Sequence, residues 1–242
     1  MNRITKLFAQ APQNLLNVYF TAGHPRLHDT GPMIEALAAA GVDLVEVGMP
    51  YSDPLADGPT IQASSARALA NGMTLSLLFE QIEAVRPKVA VPIILMGYLN
   101  PILQYGVERF IDACVQAGVD GLILPDLPLQ EYEIHYKALF EAADLGISFL
   151  ITPQTSEARI QEVDRLTRGF IYMVSSAAIT GSKGDLSAAQ LAYFERLSQL
   201  ELRCPRLIGF GISDHASYAM ACRYASGAII GSAFIRALSR AD

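Results

Sequence analysis

Tryptophan is absent from this 242-residue chain, which excludes tryptophan fluorescence as a probe of its folding. Cysteine is scarce. Cys114, Cys204 and Cys222 stand in apolar contexts without metal-ligand spacing, so neither a disulfide framework nor a structural metal cluster is expected. Reduced core thiols in a cytoplasmic protein are the expectation. Basic clusters are missing and the formal net charge is -6, so nucleic acid is not an expected partner. Long apolar runs are missing too: Val89–Met96 is far too short to span a bilayer. The start, Met1–Phe8, has a basic residue but no continuous apolar segment of the kind a signal peptide needs. Finally, Thr21-Ala22-Gly23-His24-Pro25, after the first apolar run, is not a dinucleotide-binding fingerprint.

What is present is regular. The chain is 51% hydrophobic and 17% charged, enough core for one large α/β domain over residues 1–242. Strands are predicted at Asn17–Phe20, Leu44–Gly48, Ile93–Met96, Gly121–Leu124, Ser148–Ile151, Phe170–Val174, Arg206–Phe210 and Ala228–Ile230. Helical periods lie between them, among them Met33–Ala40, Val107–Ala117, Glu131–Ala143, Ala158–Thr167, Ala188–Leu200 and Ala216–Tyr224. Eight strand-then-helix units match a (β/α)8 TIM barrel. An open doubly wound sheet is the rival, and the missing glycine-rich turn counts against it. Ala40-Gly41-Val42-Asp43-Leu44 recurs as Ala117-Gly118-Val119-Asp120-Gly121, in each case a helix end, a left-handed glycine cap and a following strand. No linker divides the chain.

Chemistry concentrates at the second strand. Glu46 sits inside Asp43–Gly48, where a carboxylate is costly unless paired or used. Asp57 follows in the loop Met49–Thr60, punctuated by Pro and Gly. A strand bearing one acid and leading into a loop with another suits acid–base work at a barrel mouth. The plain alternatives are a structural ion pair for Glu46 and a helix cap for Asp57. By alternation, Leu44, Glu46 and Gly48 share one face, expected to point inward. Asn100 is expected to cap a helix starting at Pro101, and Asp126 either to fix a loop, the favoured reading, or to partner the site. Tyr172 alone says little, since a buried tyrosine is more often core than ligand. The run Ser175–Gly184, rich in Gly, Ser and Ala, suits a lid.

The last two strands end in Gly209-Phe210-Gly211-Ile212-Ser213 and Ile230-Gly231-Ser232-Ala233. Glycines let backbone N–H groups approach an anion, and helices starting at Ser213 and Ser232 would aim positive dipole ends at one spot. Loops after the seventh and eighth strands are where such barrels hold phosphate. The residues alone therefore point to a barrel enzyme acting on a small phosphorylated substrate, with no metal or organic cofactor implied.

The segment Val45–Gln62, with Tyr19–Pro25, Met96–Pro101, Gly209–Ser213 and Gly231–Ala233, closely resembles the signature of the tryptophan synthase alpha chain family. The resemblance runs to about Ile235 in the family's order. It implies a (β/α)8 barrel that cleaves indole-3-glycerol phosphate to indole and glyceraldehyde 3-phosphate. It also implies a partner, a PLP-dependent beta chain in an alpha2beta2 complex, and no cofactor in this chain itself. Glu46 then matches the catalytic acid/base and Asp57 the second catalytic carboxylate. Tyr172 matches the active-site tyrosine, Tyr19 an aromatic wall of the indole pocket and Thr180 the lid threonine. Gly181, Gly211, Gly231 and Ser232 match the phosphate site, and Asp53 and Asn100 the face toward the beta chain.

Two departures stand out. Ser176-Ala177-Ala178 replaces an Arg-Ser-Gly pattern common in the family's lid. The last helical stretch, Ala233–Ser239, is short, so apolar surface beside Ala228–Ile230 and the first strand is expected to lie open. Two further functions compete with a lyase subunit: a stand-alone indole-releasing lyase, and a subunit kept mainly to activate its beta partner.

Overall fold

The computed structural model describes residues 2–174, 187–209 and 211–241. Its strands are β1 (Leu15–Thr21), β2 (Leu44–Gly48), β3 (Ile93–Met96), β4 (Gly121–Ile123), β5 (Gly146–Ser148), β6 (Leu150–Ile151), β7 (Ile171–Val174), β8 (Arg206–Gly209) and β9 (Gly227–Ile230). All pair in parallel, in the order β5-β4-β3-β2-β1-β9-β8-β7-β6. The two ends of that order, β5 and β6, are separated in the chain by Phe149 alone. They are two halves of the fifth predicted strand, so the sheet closes on itself as the (β/α)8 barrel requires. At the break, Ser148 Oγ accepts the Phe170 N–H (3.2 Å) and the Phe149 carbonyl accepts the Tyr172 N–H (2.9 Å). A side chain thus fills a ladder position where the strand bends. The seventh and eighth predicted strands are β8 and β9.

Period-two alternation sorts side chains into two cores. Leu15, Leu44, Ile94, Ile123, Phe170, Tyr172, Leu207 and Ile229 fill the barrel interior. Val18, Phe20, Val45, Val47, Ile93, Leu95, Ile208 and Ala228 point outward under the helices. The helix Arg3–Gln10 closes the N-terminal mouth: Ile4 is 1% exposed, and Leu7 and Phe8 pack on the same interior cluster. Asn2 caps this helix by accepting the Ile4 N–H and ties it to the barrel by donating to the carbonyls of Asp120 and Asp144.

The recurring Ala-Gly-Val-Asp has a shared role. Gly41 and Gly118 both take positive φ, +83° and +74°, where a side chain is strained. Each following aspartate then reaches back to the neighbouring strand. Asp43 accepts the Leu16 N–H (2.8 Å) and Asp120 the Ile93 N–H (2.9 Å).

Several expectations need correction. The predicted helix Glu131–Ala143 is interrupted: Leu129–Glu131 leads into a π-helical Tyr132–Tyr136 and then Lys137–Ala142. Asn100 is not a cap. The helix is Leu99–Tyr105, Tyr98 holds the cap position, and Asp126 accepts the Leu99 N–H (3.0 Å), the loop-fixing role expected of it. The helix after β8 begins at His215, not Ser213, because Asp214 and Ser217 form a capping box that takes up its first donors. The last helix, Ser232–Ala241, is longer than Ala233–Ser239 and packs on β1 and on the helix Pro59–Ala70. Val18, Ala228 and Ile229 are buried, so the surface expected to lie open there is largely covered.

Candidate active site

One cavity of about 430 Å³ opens at the C-terminal ends of the strands. Glu46, Asp57, Tyr19, Tyr172, Gly211, Gly231 and Ser232 all line it. Residues from β1, β2, β7 and the loops after β8 and β9 thus converge, since a barrel brings the ends of its strands to one mouth. Asp53 and Asn100 lie outside it, exposed on the surface, where Asn100 Nδ2 donates to Tyr51 Oη (3.3 Å). Thr180 and Gly181, with the rest of the expected lid, fall outside the described residues.

Glu46 is fully buried. Its Oε2 accepts from Asn17 Nδ2 at 2.7 Å, while Oε1 has no hydrogen-bond partner among the described residues. No cation pairs with it among those residues, so none of them bears out the ion-pair alternative. Burial pushes its pKa up to about 8. The Asn17 bond opposes that shift and the nearby Asp57 charge adds to it. Asp57 does not cap a helix: Gly58 precedes the helix Pro59–Ala70. Instead Tyr98 Oη donates to Asp57 Oδ2 (3.0 Å) while accepting the Ala56 N–H (3.0 Å). Burial raises the Asp57 pKa and the Tyr98 bond holds it down.

Glycines at the strand ends make room for two inward tyrosines. A Cβ on Gly48 would lie 2.2 Å from Tyr19 Oη, and one on Gly209 would lie 2.3 Å from Tyr172 Oη. Burial, the largest cause in both cases, pushes both phenols well above their ordinary range, so they stay protonated. Met96, Ile61, Ile212 and Ile229 add apolar walls. At the glycine end, the helix Ser232–Ala241 begins beside Gly231, and Arg236 is the only cation among the described residues lining the cavity.

Three contributors were not anticipated: Asn17, Tyr98 and Arg236. Asn17 carries a readable signal, a polar residue in register with Tyr19 on the inward face of an apolar strand. A second cavity, about 360 Å³ and lined by Asn2, Arg168 and Arg203 among others, lies at the opposite mouth, away from the carboxylates. No group of three or more His, Cys, Asp or Glu positioned for a metal occurs among the described residues.

The family model for the tryptophan synthase alpha chain matches residues 6–242. The chain belongs to the tryptophan synthase alpha chain family. It is 55% identical to the tryptophan synthase alpha chain of Flavobacterium johnsoniae over 239 residues, 99% of this chain and 94% of that one. It is 54% identical to that of Parabacteroides distasonis over 98% of this chain and 93% of the relative. Among solved structures, tryptophan synthase subunit alpha from Legionella pneumophila superposes with a TM-score of 0.89 at 34% identity, covering 100% of this chain and 90% of that chain. An aminoacrylate-bound tryptophan synthase from M. tuberculosis gives 0.87 at 30% identity, over 99% and 93%. The protein is therefore an enzyme subunit of tryptophan biosynthesis, a lyase on a TIM barrel. An alpha chain of tryptophan synthase implies a beta chain as partner. No helix among the described residues is long and apolar enough to cross a membrane.

Proposed function

We propose that this chain cleaves indole-3-glycerol phosphate to indole and glyceraldehyde 3-phosphate by a retro-aldol reaction. The indole then passes to a PLP-dependent beta chain in an alpha2beta2 complex in the cytoplasm, and this chain carries no cofactor of its own. One observation supports the reading above others: a buried carboxyl, Glu46, without a cation partner among the described residues, shares a cavity with a second carboxyl and a glycine-lined mouth.

The chemistry needs these groups. Breaking the bond between indole C3 and the glycerol carbon requires a proton on C3, which places positive charge on N1. Glu46, with a pKa of about 8, holds a proton at neutral pH and can give it to C3. Asp57 faces the same space, and its carboxylate form stabilises the charge at N1. The carbon–carbon bond then breaks, its electrons return to the ring, and the glycerol hydroxyl next to the broken bond loses its proton as the aldehyde forms. That proton restores the carboxyl that gave one, so the cycle closes without net transfer. Tyr19, Met96, Ile61, Ile212 and Ile229 offer an apolar bed for the indole ring. Gly211, Gly231 and Ser232 offer backbone donors for the phosphate, aided by the start of the helix Ser232–Ala241 and the charge of Arg236. Thr180 and Gly181 complete the lid and phosphate site in this reading.

A partner-dependent subunit is favoured over a stand-alone lyase by the surface beside the cavity. Leu55, 93% exposed, stands with Asp53 on the loop after β2, and Asn100 and Leu103 lie on the adjoining helix Leu99–Tyr105. This is the face proposed to meet the beta chain. The test is indole release from indole-3-glycerol phosphate by the chain alone and with a beta chain added. Release that rises when the beta chain is added, and that Glu46→Gln reduces by at least about 10²-fold, is the expected outcome. Activity of Glu46→Gln within tenfold of wild type would reject the role of Glu46.

A further inference from the structure

Asn17 is an anomaly of the barrel interior. It is 0% exposed, and its inward neighbours on β1 are Leu15, below it, and Tyr19, above it. Strand register sets it opposite Leu44, one step below the level at which Tyr19 faces Glu46. A buried amide among Leu15, Leu44, Ile94 and Ile229 is costly unless bonded. Its bond to Glu46 Oε2 is also the only hydrogen bond the Glu46 carboxyl receives among the described residues. Two buried oxygens, Asn17 Oδ1 and Glu46 Oε1, have no hydrogen-bond partner among the described residues. The carboxyl is therefore held through one oxygen from the barrel floor; Glu46 lines the cavity, and its other oxygen has no hydrogen-bond partner among the described residues.

We propose that Asn17 is the positioning residue for Glu46: its amide pins Oε2, so that Oε1 is the oxygen that gives and takes the proton. The inference rests on the lyase reading of this cavity. When Oε1 loses its proton to C3, negative charge spreads over both oxygens, and the Asn17 N–H to Oε2 becomes a charge-assisted bond. Asn17 thus makes Glu46 a better acid than burial alone allows, and it holds the orientation through both proton transfers. Among the described residues, the other titratable or charged groups facing Glu46 are Asp57, Tyr19 and Tyr172. Both tyrosines stay neutral, and Asp57 raises the proton affinity of Glu46, so among these groups Asn17 alone favours the anion.

The experiment replaces Asn17 by the near-isosteric leucine in the full chain, assayed with a beta chain. Loss of a hydrogen bond to a charged group shifts a pKa by about one to two units. The alkaline limb of the kcat–pH profile is expected to move up by that amount. At pH 7 kcat should fall about tenfold while KM changes less than about threefold. A 13C-labelled Glu46 carboxyl should titrate later by the same shift, a readout independent of activity. An unmoved titration in folded Asn17→Leu overturns the proposal, even if wild-type lyase activity stands. A shifted titration in a chain without lyase activity supports the pairing and rejects the lyase reading instead. Should Asn17→Leu not fold, the wild-type Asn17 side-chain 15N signal decides. It should titrate in step with Glu46 and stay flat in Glu46→Gln, and a signal insensitive to pH in the wild type overturns the proposal.

Discussion

Burial gives Glu46 its proton and ties its chemistry to stability. Its pKa in the folded chain, about 8, lies above the ordinary 4.5, so between those values the folded state holds a proton that the unfolded chain releases. The linked stability is fully present below pH 4.5 and is lost as pH rises through 8, with a limiting slope of about 1.4 kcal/mol per pH unit. Asp57, also raised by burial, contributes with the same sign. Urea midpoints followed by circular dichroism should therefore fall from pH 5 to pH 9, and Glu46→Gln should flatten that fall. Parallel curves for the two proteins would contradict the burial account. Asp57→Asn tests the partner carboxyl. In the proposed reaction N1 gains charge only on the way to the transition state, so kcat should drop by about 10²-fold or more with KM little changed. A rise in KM alone would make Asp57 a binding residue.

Among the elements, the strand ends show two different uses of glycine. Gly209 clears space for a side chain, since its added Cβ would strike the Tyr172 ring and hydroxyl at 2.3–2.5 Å. Gly227 clears space for backbone, since its added Cβ would lie 2.0 Å from the Leu15 carbonyl oxygen, where β1 pairs with β9. A displaced tyrosine end costs less than a displaced strand. Gly209→Ala is expected to lower turnover at least tenfold with a stability loss of about 1 kcal/mol, and Tyr172→Leu in the same chain should relieve the stability loss. Gly227→Ala should cost about 3 kcal/mol or more, because β1 and β9 cannot both keep their register. Equal stability losses in the two alanine variants, measured by urea unfolding, would show that side-chain and backbone crowding are not distinguished here.

For the whole molecule, the two mouths of the barrel divide labour. The C-terminal mouth holds the cavity, and the N-terminal mouth is sealed by the helix Arg3–Gln10. Ile4 enters the barrel against Gly121 and Gly146, whose missing Cβ atoms would fall 2.7 and 3.4 Å from its Cδ1. Ile4→Ala should therefore destabilise by about 2–4 kcal/mol, a cavity effect, while kcat/KM for indole release stays within about twofold. A larger loss of activity than of stability would mean that the seal communicates with the opposite mouth.

The repeat of strand and helix, the inward face of β2 and the acid on it are all readable from the order of residues alone. Each is encoded locally, by alternation with period two, by left-handed glycines at Gly41 and Gly118, and by the cost of a carboxylate in an apolar run. Legible too was the gathering of strand-end residues, because a barrel directs every strand's end to one mouth. Which polar atoms meet is set only when distant segments fold together. Tyr98 reaches Asp57 across 41 residues, and Asp126, not Asn100, serves the helix Leu99–Tyr105. The division of the fifth strand at Phe149 and the bond between Asn17 and Glu46 were likewise hidden. Those partnerships depend on the stagger between neighbouring strands and on the path of the loops. Barrel closure sets both, and no local pattern of residues records them.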